Sequence, residues 1–246
     1  MFLAFPARCA CDTRSPTASG SVRKTRPSSW EMPNFSRRVD ASEIMDDLGR
    51  PDSEFDQAYR ELEIINRRLG GIRAIQRFLP SESNLLMLDV AAGACDVSEA
   101  LLGRMRARIV VLDVNPKGLE FARTSWPVRA DALELPFSDD TFDVVMASLF
   151  FHHLSDGNCV RALENMWRVS RRLVLVNDLH RHPVAYWSIR ALVAGFSRSA
   201  MVKHDGPVSV LRAFQPHEFL RIAERAGVPA RVYRSFPYRL VLVAEK

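Results

Sequence analysis

Hydrophobic positions follow two different rhythms along the chain. Phe55, Tyr59, Leu62, Ile65, Leu69, Ile72, Ile75 and Phe78 recur at spacings of three and four, which predicts a helix over Phe55–Phe78, broken or kinked at Gly70-Gly71. Ahead of it, Ser42–Leu48 predicts one short helix, and Pro51 restarts the chain. From Leu85 the rhythm changes. Leu85–Leu88, Arg108–Asp113, Val128–Phe137, Asp140–Ser148 and Arg172–Asp178 are short segments centred on apolar residues, several without polar alternation, as expected of strands buried on both faces of a parallel sheet. Helical spacing separates them: Val97, Ala100, Leu101 and Met105 after the first, a helix opened by Val114-Asn115-Pro116 after the second, and Asn158–Val169 after the fourth. Beyond the fifth, an apolar helix runs from Val184 to Phe196, then a loop over Ser197–Ser209, a helix over Pro216–Ala226 stopped by Gly227, and two strands, Arg231–Ser235 and Tyr238–Ala244, joined by a tight Phe236-Pro237 turn. Strands alternating with helices predict an α/β chain.

The first apolar run leads into Asp89-Val-Ala-Ala-Gly-Ala-Cys-Asp96, a row of small residues between two acids. Such a row lets the backbone turn tightly and lets a ligand approach it, and the helix that follows offers unpaired N–H groups to an anion. A dinucleotide-binding turn wants glycine at three spaced positions. Here only Gly93 is glycine, flanked by Ala91 and Cys95, so a buried strand with a small-residue turn that binds nothing is an alternative reading. The second run ends in Asp113, where a carboxylate can accept from both hydroxyls of an adenosine ribose. The third carries Asp131-Ala132, and the fourth Phe142-Asp143-Val144.

Taken in order, these segments resemble the class I S-adenosylmethionine-dependent methyltransferases. Their pattern is Asp-x-Gly-x-Gly-x-Gly, an acid ending the second strand, an Asp-Ala pair after the third, and Phe-Asp-x-Val at the fourth. The resemblance is close over about residues 84–180 and looser beyond, and it departs from the family at Ala91 and Cys95. It implies a Rossmann-like seven-stranded, mostly parallel sheet with helices on both faces and an antiparallel last strand. It also implies S-adenosylmethionine as cofactor and a small-molecule acceptor such as a phenolic, quinone-like or polyketide compound.

By resemblance, Asp89, Ala91, Gly93 and Cys95 hold the methionine end. Asp113 takes the ribose, Asp131 the adenine amino group with Ala132 beside it, and Val114 and Leu133 pack on the ring. Phe150 and His152 line the methyl-transfer side. His152 and His153 are the candidate bases, histidine being the natural base near neutral pH, with a structural role expected for one of them. Acceptor contacts are expected from His180, Tyr186, His204 and Arg212, in and around an insertion over 183–213. His204 and Asp205 are not expected to form a catalytic pair, because sequence neighbours rarely face each other productively. A thiol at Cys95, beside a helix N-terminus, is expected to be acidified and open to alkylation. A nicotinamide-dependent oxidoreductase and a non-catalytic member of the same fold are the rival readings.

Composition narrows this further. With 246 residues, 47% hydrophobic and 26% charged, the chain suits one α/β domain with a sizeable core, and no apolar run is long enough to span a bilayer. The cysteines at 9, 11, 95 and 159 show neither a disulfide framework nor paired metal-ligand spacing. No metal centre and a reducing, cytoplasmic setting are therefore expected. Residues 1–38 hold seven Lys/Arg against Asp12 and Glu31, which accounts for the whole net charge of +5. The remainder is neutral and offers no excess charge to a nucleic acid. The resulting division is a disordered basic tail over 1–38, a helical cap over 39–80 and a cofactor-binding domain over 81–246, with the oligomeric state left open. The tail reads either as a transit-peptide mimic or as an extension upstream of a start at Met32, the second being favoured.

Overall fold

The computed structural model describes residues 33–246. The expectations for Cys9, Cys11, Met32 and most of the basic tail lie outside the described residues.

Seven strands form one sheet: β1 (Leu85–Val90), β2 (Ala107–Asp113), β3 (Trp126–Arg129), β4 (Phe142–Ser148), β5 (Ser170–Leu179), β6 (Ala230–Ser235) and β7 (Arg239–Glu245). Their order is β3-β2-β1-β4-β5-β7-β6. The first five pair in parallel, and β7 inserts antiparallel between β5 and β6. Chain order reverses direction between β1 and β4, and at such a point the loops at the carboxyl ends part to leave a crevice.

The eight α-helices among the described residues are α1 (Asp52–Arg68), α2 (Gly71–Gln76), α3 (Asp96–Leu102), α4 (Pro116–Leu119), α5 (Asp156–Val169), α6 (Pro183–Phe196), α7 (Ala200–Arg212) and α8 (Pro216–Arg225). Successive strand residues face opposite ways, so each central strand feeds two cores. Leu88, Val145, Val174 and Leu242 pack with Leu163 and Met166 of α5 and Phe219 and Ile222 of α8. Met87, Ile109, Val144 and Leu175 pack with Ile72 and Ile75 of α2 and Val97 and Leu101 of α3. A third, smaller cluster joins Phe55, Ala58 and Tyr59 of α1 to Val193 of α6 and Met201 and Val202 of α7. It holds α1 over the carboxyl edge of the sheet.

Three sequence expectations need correction. The short helix near Ser42 is one 3-10 turn, Ile44–Asp46. The loop expected over Ser197–Ser209 is mostly helix α7, despite Gly206 and Pro207. Ser199 caps it by accepting from the Val202 N–H, and buried Met201, Val202 and Val210 supply an apolar face. Gly206 suits the crossing of α6, since a side chain there would crowd Ile189 and Val193. Packing thus outweighs the low helix propensity of the two residues. Finally, residues 35–38 are already tied to the fold. The Phe35 carbonyl accepts from the buried Arg181 guanidinium at 3.0 Å. Arg38 lies over the Phe214 ring and bonds the Arg212 carbonyl at 2.7 Å.

Candidate active site

A cavity of about 430 Å³ opens where β1 and β4 part, a volume suited to a small ligand. Its floor is the turn after β1, the ends of β2 and β3 and the segment after β4. Its roof is Tyr59, Leu62 and Asn66 of α1 with Met45, Asp46 and Leu48 ahead of that helix. A wider depression lies at the opposite, amino edge of the sheet, beside Asn84 and Arg106. The single carboxylate there, Glu99, is already occupied by the N–H groups of Arg123, Thr124 and Ser125 and by two hydroxyls.

The turn after β1 keeps the shape that three glycines would give. Ala91, Gly93 and Cys95 have φ of 55°, 50° and 58°, all left-handed. For Ala91 and Cys95 this costs about 1–2 kcal/mol each. Neighbouring bonds impose it. Ala92 N–H donates to the Leu112 carbonyl, Cys95 N–H to the Ala92 carbonyl, and Gly93 N–H to Asp113 Oδ2 at 2.8 Å. From the other side Gly118 of α4 abuts the Gly93 backbone so closely that a Cβ there would overlap it.

Three carboxyl groups surround this turn. Asp113 takes Gly93 N–H on Oδ2 and Asn115 N–H on Oδ1, each at 2.8 Å. Each oxygen keeps a lone pair free. Burial raises the pKa of Asp113 while these backbone bonds oppose the rise. Asp89 is buried, accepts the Ser98 hydroxyl on Oδ2 at 2.6 Å and is pushed up to about 7, chiefly by desolvation. Its Oδ1 has no partner among the described residues. Asp96, first residue of α3, lines the cavity, accepts from Asn66 at 3.1 Å and is raised by burial to about 6. Farther along the floor, half-exposed Val114, buried Ala132, Leu133 and Phe150 also line the cavity, as does Asp131, whose Oδ1 accepts the Leu133 N–H at 2.8 Å.

The histidine pair sits in a 3-10 turn, Phe151–His153, after β4. His153 is the one that lines the cavity, with Nδ1 2.7 Å from Asp46. His152, expected on the methyl-transfer side, is instead 2% exposed, with Nδ1 2.6 Å from Asp178 at the end of β5. Arg212 fixes this turn by donating to the carbonyls of His152 and His153 and to Asp46.

Residues 87–172 match a family model described as a methyltransferase domain. A demethylmenaquinone methyltransferase of Chlorobaculum tepidum is 25% identical over 200 residues, covering 73% of this chain and 81% of that one. A ubiquinone/menaquinone biosynthesis C-methyltransferase of Idiomarina loihiensis is 33% identical over 95 residues, 34% of this chain and 37% of its own. The crystal structure of human N-acetylserotonin methyltransferase in complex with S-adenosylmethionine shares the fold, with a TM-score of 0.62 at 16% identity over 85% of this chain and 60% of that one. The chain is a class I S-adenosylmethionine-dependent methyltransferase. S-adenosylmethionine is its methyl donor, which decides against the nicotinamide-dependent reading. No helix among the described residues is long and apolar enough to cross a membrane.

The residues expected on the acceptor side stand outside the lining of the methyltransferase's cavity. His180 lies 3.2 Å from Gln215 through Nε2, and Tyr186 packs edge-on against Phe35. Arg212 serves the histidine turn as described. His204 Nδ1 lies 2.7 Å from Asp205 Oδ1, outside the cavity lining. Both oxygens of Asp205 also accept N–H groups of the Ile44 turn, so Asp205 acts as a clamp between α7 and that turn. Sequence reasoning missed Glu43, Asp46, Tyr59, Asn66 and the cavity-facing side of Asp96. Only Asp96 left a signal, as the acid opening the helix after the small-residue row.

Cys95 also departs from expectation. It is fully buried among Val97 and Leu101, and burial pushes its thiol up rather than down, reinforced by the charges of Asp89, Glu99 and Asp113. In the native methyltransferase Cys95 should resist iodoacetamide at pH 8 with or without S-adenosylhomocysteine, and should react only after denaturation. Peptide mass spectrometry checks this, and rapid native labelling would contradict the packing.

Proposed function

We propose that the enzyme methylates a small aromatic acceptor, a phenolic, quinone-like or polyketide compound. The observation that carries this reading is the acceptor-side wall. Met45, Leu48, Phe150 and Leu154 make it largely apolar, and the hydrogen-bonded pair His153 and Asp46 interrupts it. A largely apolar wall with one localised polar pair suits an aromatic ring bearing an oxygen. The demethylmenaquinone methyltransferase relative, named for a quinone precursor, supports the same class.

The chain's residues fit the methyl donor. A Cβ at Gly93 would meet nothing nearer than a Tyr59 ring carbon at 3.9 Å, so the turn leaves room beside its backbone. Asp113 retains acceptor capacity for two ribose hydroxyls, and Asp131, Ala132, Leu133 and Val114 form the adenine end. Asp89 holds the turn's first strand end through Ser98 and keeps one buried acceptor unspent. Ala91, Gly93 and Cys95 shape the backbone around the methionine end, and Asp96 faces its ammonium group. When bound, the sulfonium supplies an already activated methyl group. The protein's part is to align donor and acceptor and keep water out, which α1 and the Ile44 turn do from above.

Two experiments test this. Incubation with S-adenosylmethionine and a panel of phenols, naphthoquinols and aliphatic amines should release S-adenosylhomocysteine with aromatic acceptors. Turnover confined to aliphatic amines would contradict the acceptor class. The second concerns pH. Asp96 loses its charge as pH falls through about 6, and with it the attraction for the ammonium group. S-adenosylhomocysteine affinity should therefore fall as the pH drops below that point, at most about tenfold per unit, and level off near the affinity of a neutral Asp96. Asp96→Asn should bind more weakly at pH 8 and show a flatter profile in calorimetry. Parallel profiles would remove Asp96 from the ammonium site.

A further inference from the structure

Glu43, His152 and His153 bring one carboxylate and two imidazoles to a common point. Their ligand-capable atoms all lie within 4.8 Å of one another. His152 Nε2 is 3.7 Å from Glu43 Oε1, and His153 Nε2 is 3.8 Å from Oε2. These separations are too long for hydrogen bonds. Glu43 is 4% exposed, and its Oε1 has no hydrogen-bond partner among the described residues. Oε2 accepts the Ser209 hydroxyl at 2.8 Å, so a buried carboxylate with one oxygen unpartnered and a ring nitrogen opposite each oxygen across a gap calls for an atom between them.

The surroundings fit a cation. Each histidine has its Nδ1 on a carboxylate, Asp178 for His152 and Asp46 for His153, so both present Nε2 inward. That is the arrangement by which outer carboxylates orient metal-bound imidazoles. With metal–ligand bonds of about 2.0–2.2 Å, tetrahedral ligand atoms sit ~3.4 Å apart, and the two histidine–carboxylate separations need to close by only a few tenths of an ångström. Glu43, Asp46 and Asp178 outweigh Arg212, whose Nε is 3.6 Å from Glu43 Oε1. Arg38, which reaches the His152 carbonyl, is paired with Asp156 at 2.6 Å.

We propose that Glu43, His152 and His153 bind a divalent transition metal ion of the zinc class at the wall of the methyl-transfer cavity. Two imidazole nitrogens and one oxygen favour such an ion over magnesium or calcium. Three protein ligands leave coordination positions open. Because His153 lines the cavity while His152 and Glu43 stand behind it, an open position faces the acceptor side. There the ion takes an oxygen of the acceptor as ligand and orients the ring. That last step rests on the acceptor reading above, whereas binding of the metal does not.

The test uses the full chain, stripped with chelator and titrated with zinc by calorimetry, and with cobalt(II) by visible absorption. One equivalent per chain is expected, with a tetrahedral-type cobalt spectrum. Glu43→Gln and His153→Ala should lose at least about 100-fold in affinity, and Asp46→Asn, in the outer shell, about 10-fold. His217→Ala, an exposed histidine on α8, should bind as the parent does. Far-ultraviolet dichroism and S-adenosylhomocysteine binding, measured on each stripped variant, keep loss of fold separate from loss of metal. Absence of stoichiometric zinc and cobalt binding in the parent, or equal affinity in Glu43→Gln and parent, would overturn the site. Retained S-adenosylhomocysteine binding in that case would leave the methyltransferase reading standing.

Discussion

The carboxyl group of Asp113 is the tie on which the site depends. It ends β2, yet its two oxygens hold the backbone of two loops, the turn after β1 through Gly93 and the start of α4 through Asn115. Hydrogen bonds to a charged group contribute about 1.5–3 kcal/mol each. Two of them offset the left-handed strain at Ala91 and Cys95, about 1–2 kcal/mol per residue. This explains how a turn with one glycine keeps a three-glycine shape. The conformation is enforced from outside, by Asp113 below and by Gly118 pressed against the Gly93 backbone. It also makes the carboxyl group that supports the turn one that lines the cavity.

Charge is concentrated at this edge at a cost. Asp96 and Asp113 both raise Asp89, and burial raises all three. Desolvation opposes folding at all three, and their hydrogen bonds to Ser98, Asn66 and the backbone offset only part of it. The opposite wall shows the same economy in a different form. Glu43, Asp46 and Asp178 gather around two histidines, with Arg212 and Arg38 holding the backbone in place. The cavity thus lies between two acidic clusters whose arrangement is better explained by what binds there than by stability.

The strand–helix order was legible because its signals are local. Buried runs such as Leu85–Leu88 and the acid at Asp113 sit at recognisable intervals, and the observed seven-stranded order 3-2-1-4-5-7-6 follows the expected fold. What stayed hidden depends on contacts distant in sequence. Helix α7 looks like a loop because Gly206 and Pro207 are weak helix formers, and only its packing on α6 and the Asp205 clamp reverse that. The upward shift of the Cys95 thiol is hidden in the sequence, because proximity to a helix start is visible there and burial beside Asp89, Asp96, Glu99 and Asp113 is not. Glu43 carries no motif at all, and its meeting with His152, 109 positions on, exists only in the fold.

The central claim is that the turn over 91–95, held by Asp113, is the cradle of the methyl donor. Hydrogen–deuterium exchange with and without S-adenosylhomocysteine tests it directly, because a ligand seated there must protect the amides it covers. The account predicts slowed exchange in peptides spanning 89–97, 113–116 and 131–133, and no change at the opposite edge around 103–108. Protection at 103–108, or unchanged exchange across 89–97 with binding confirmed, would contradict it.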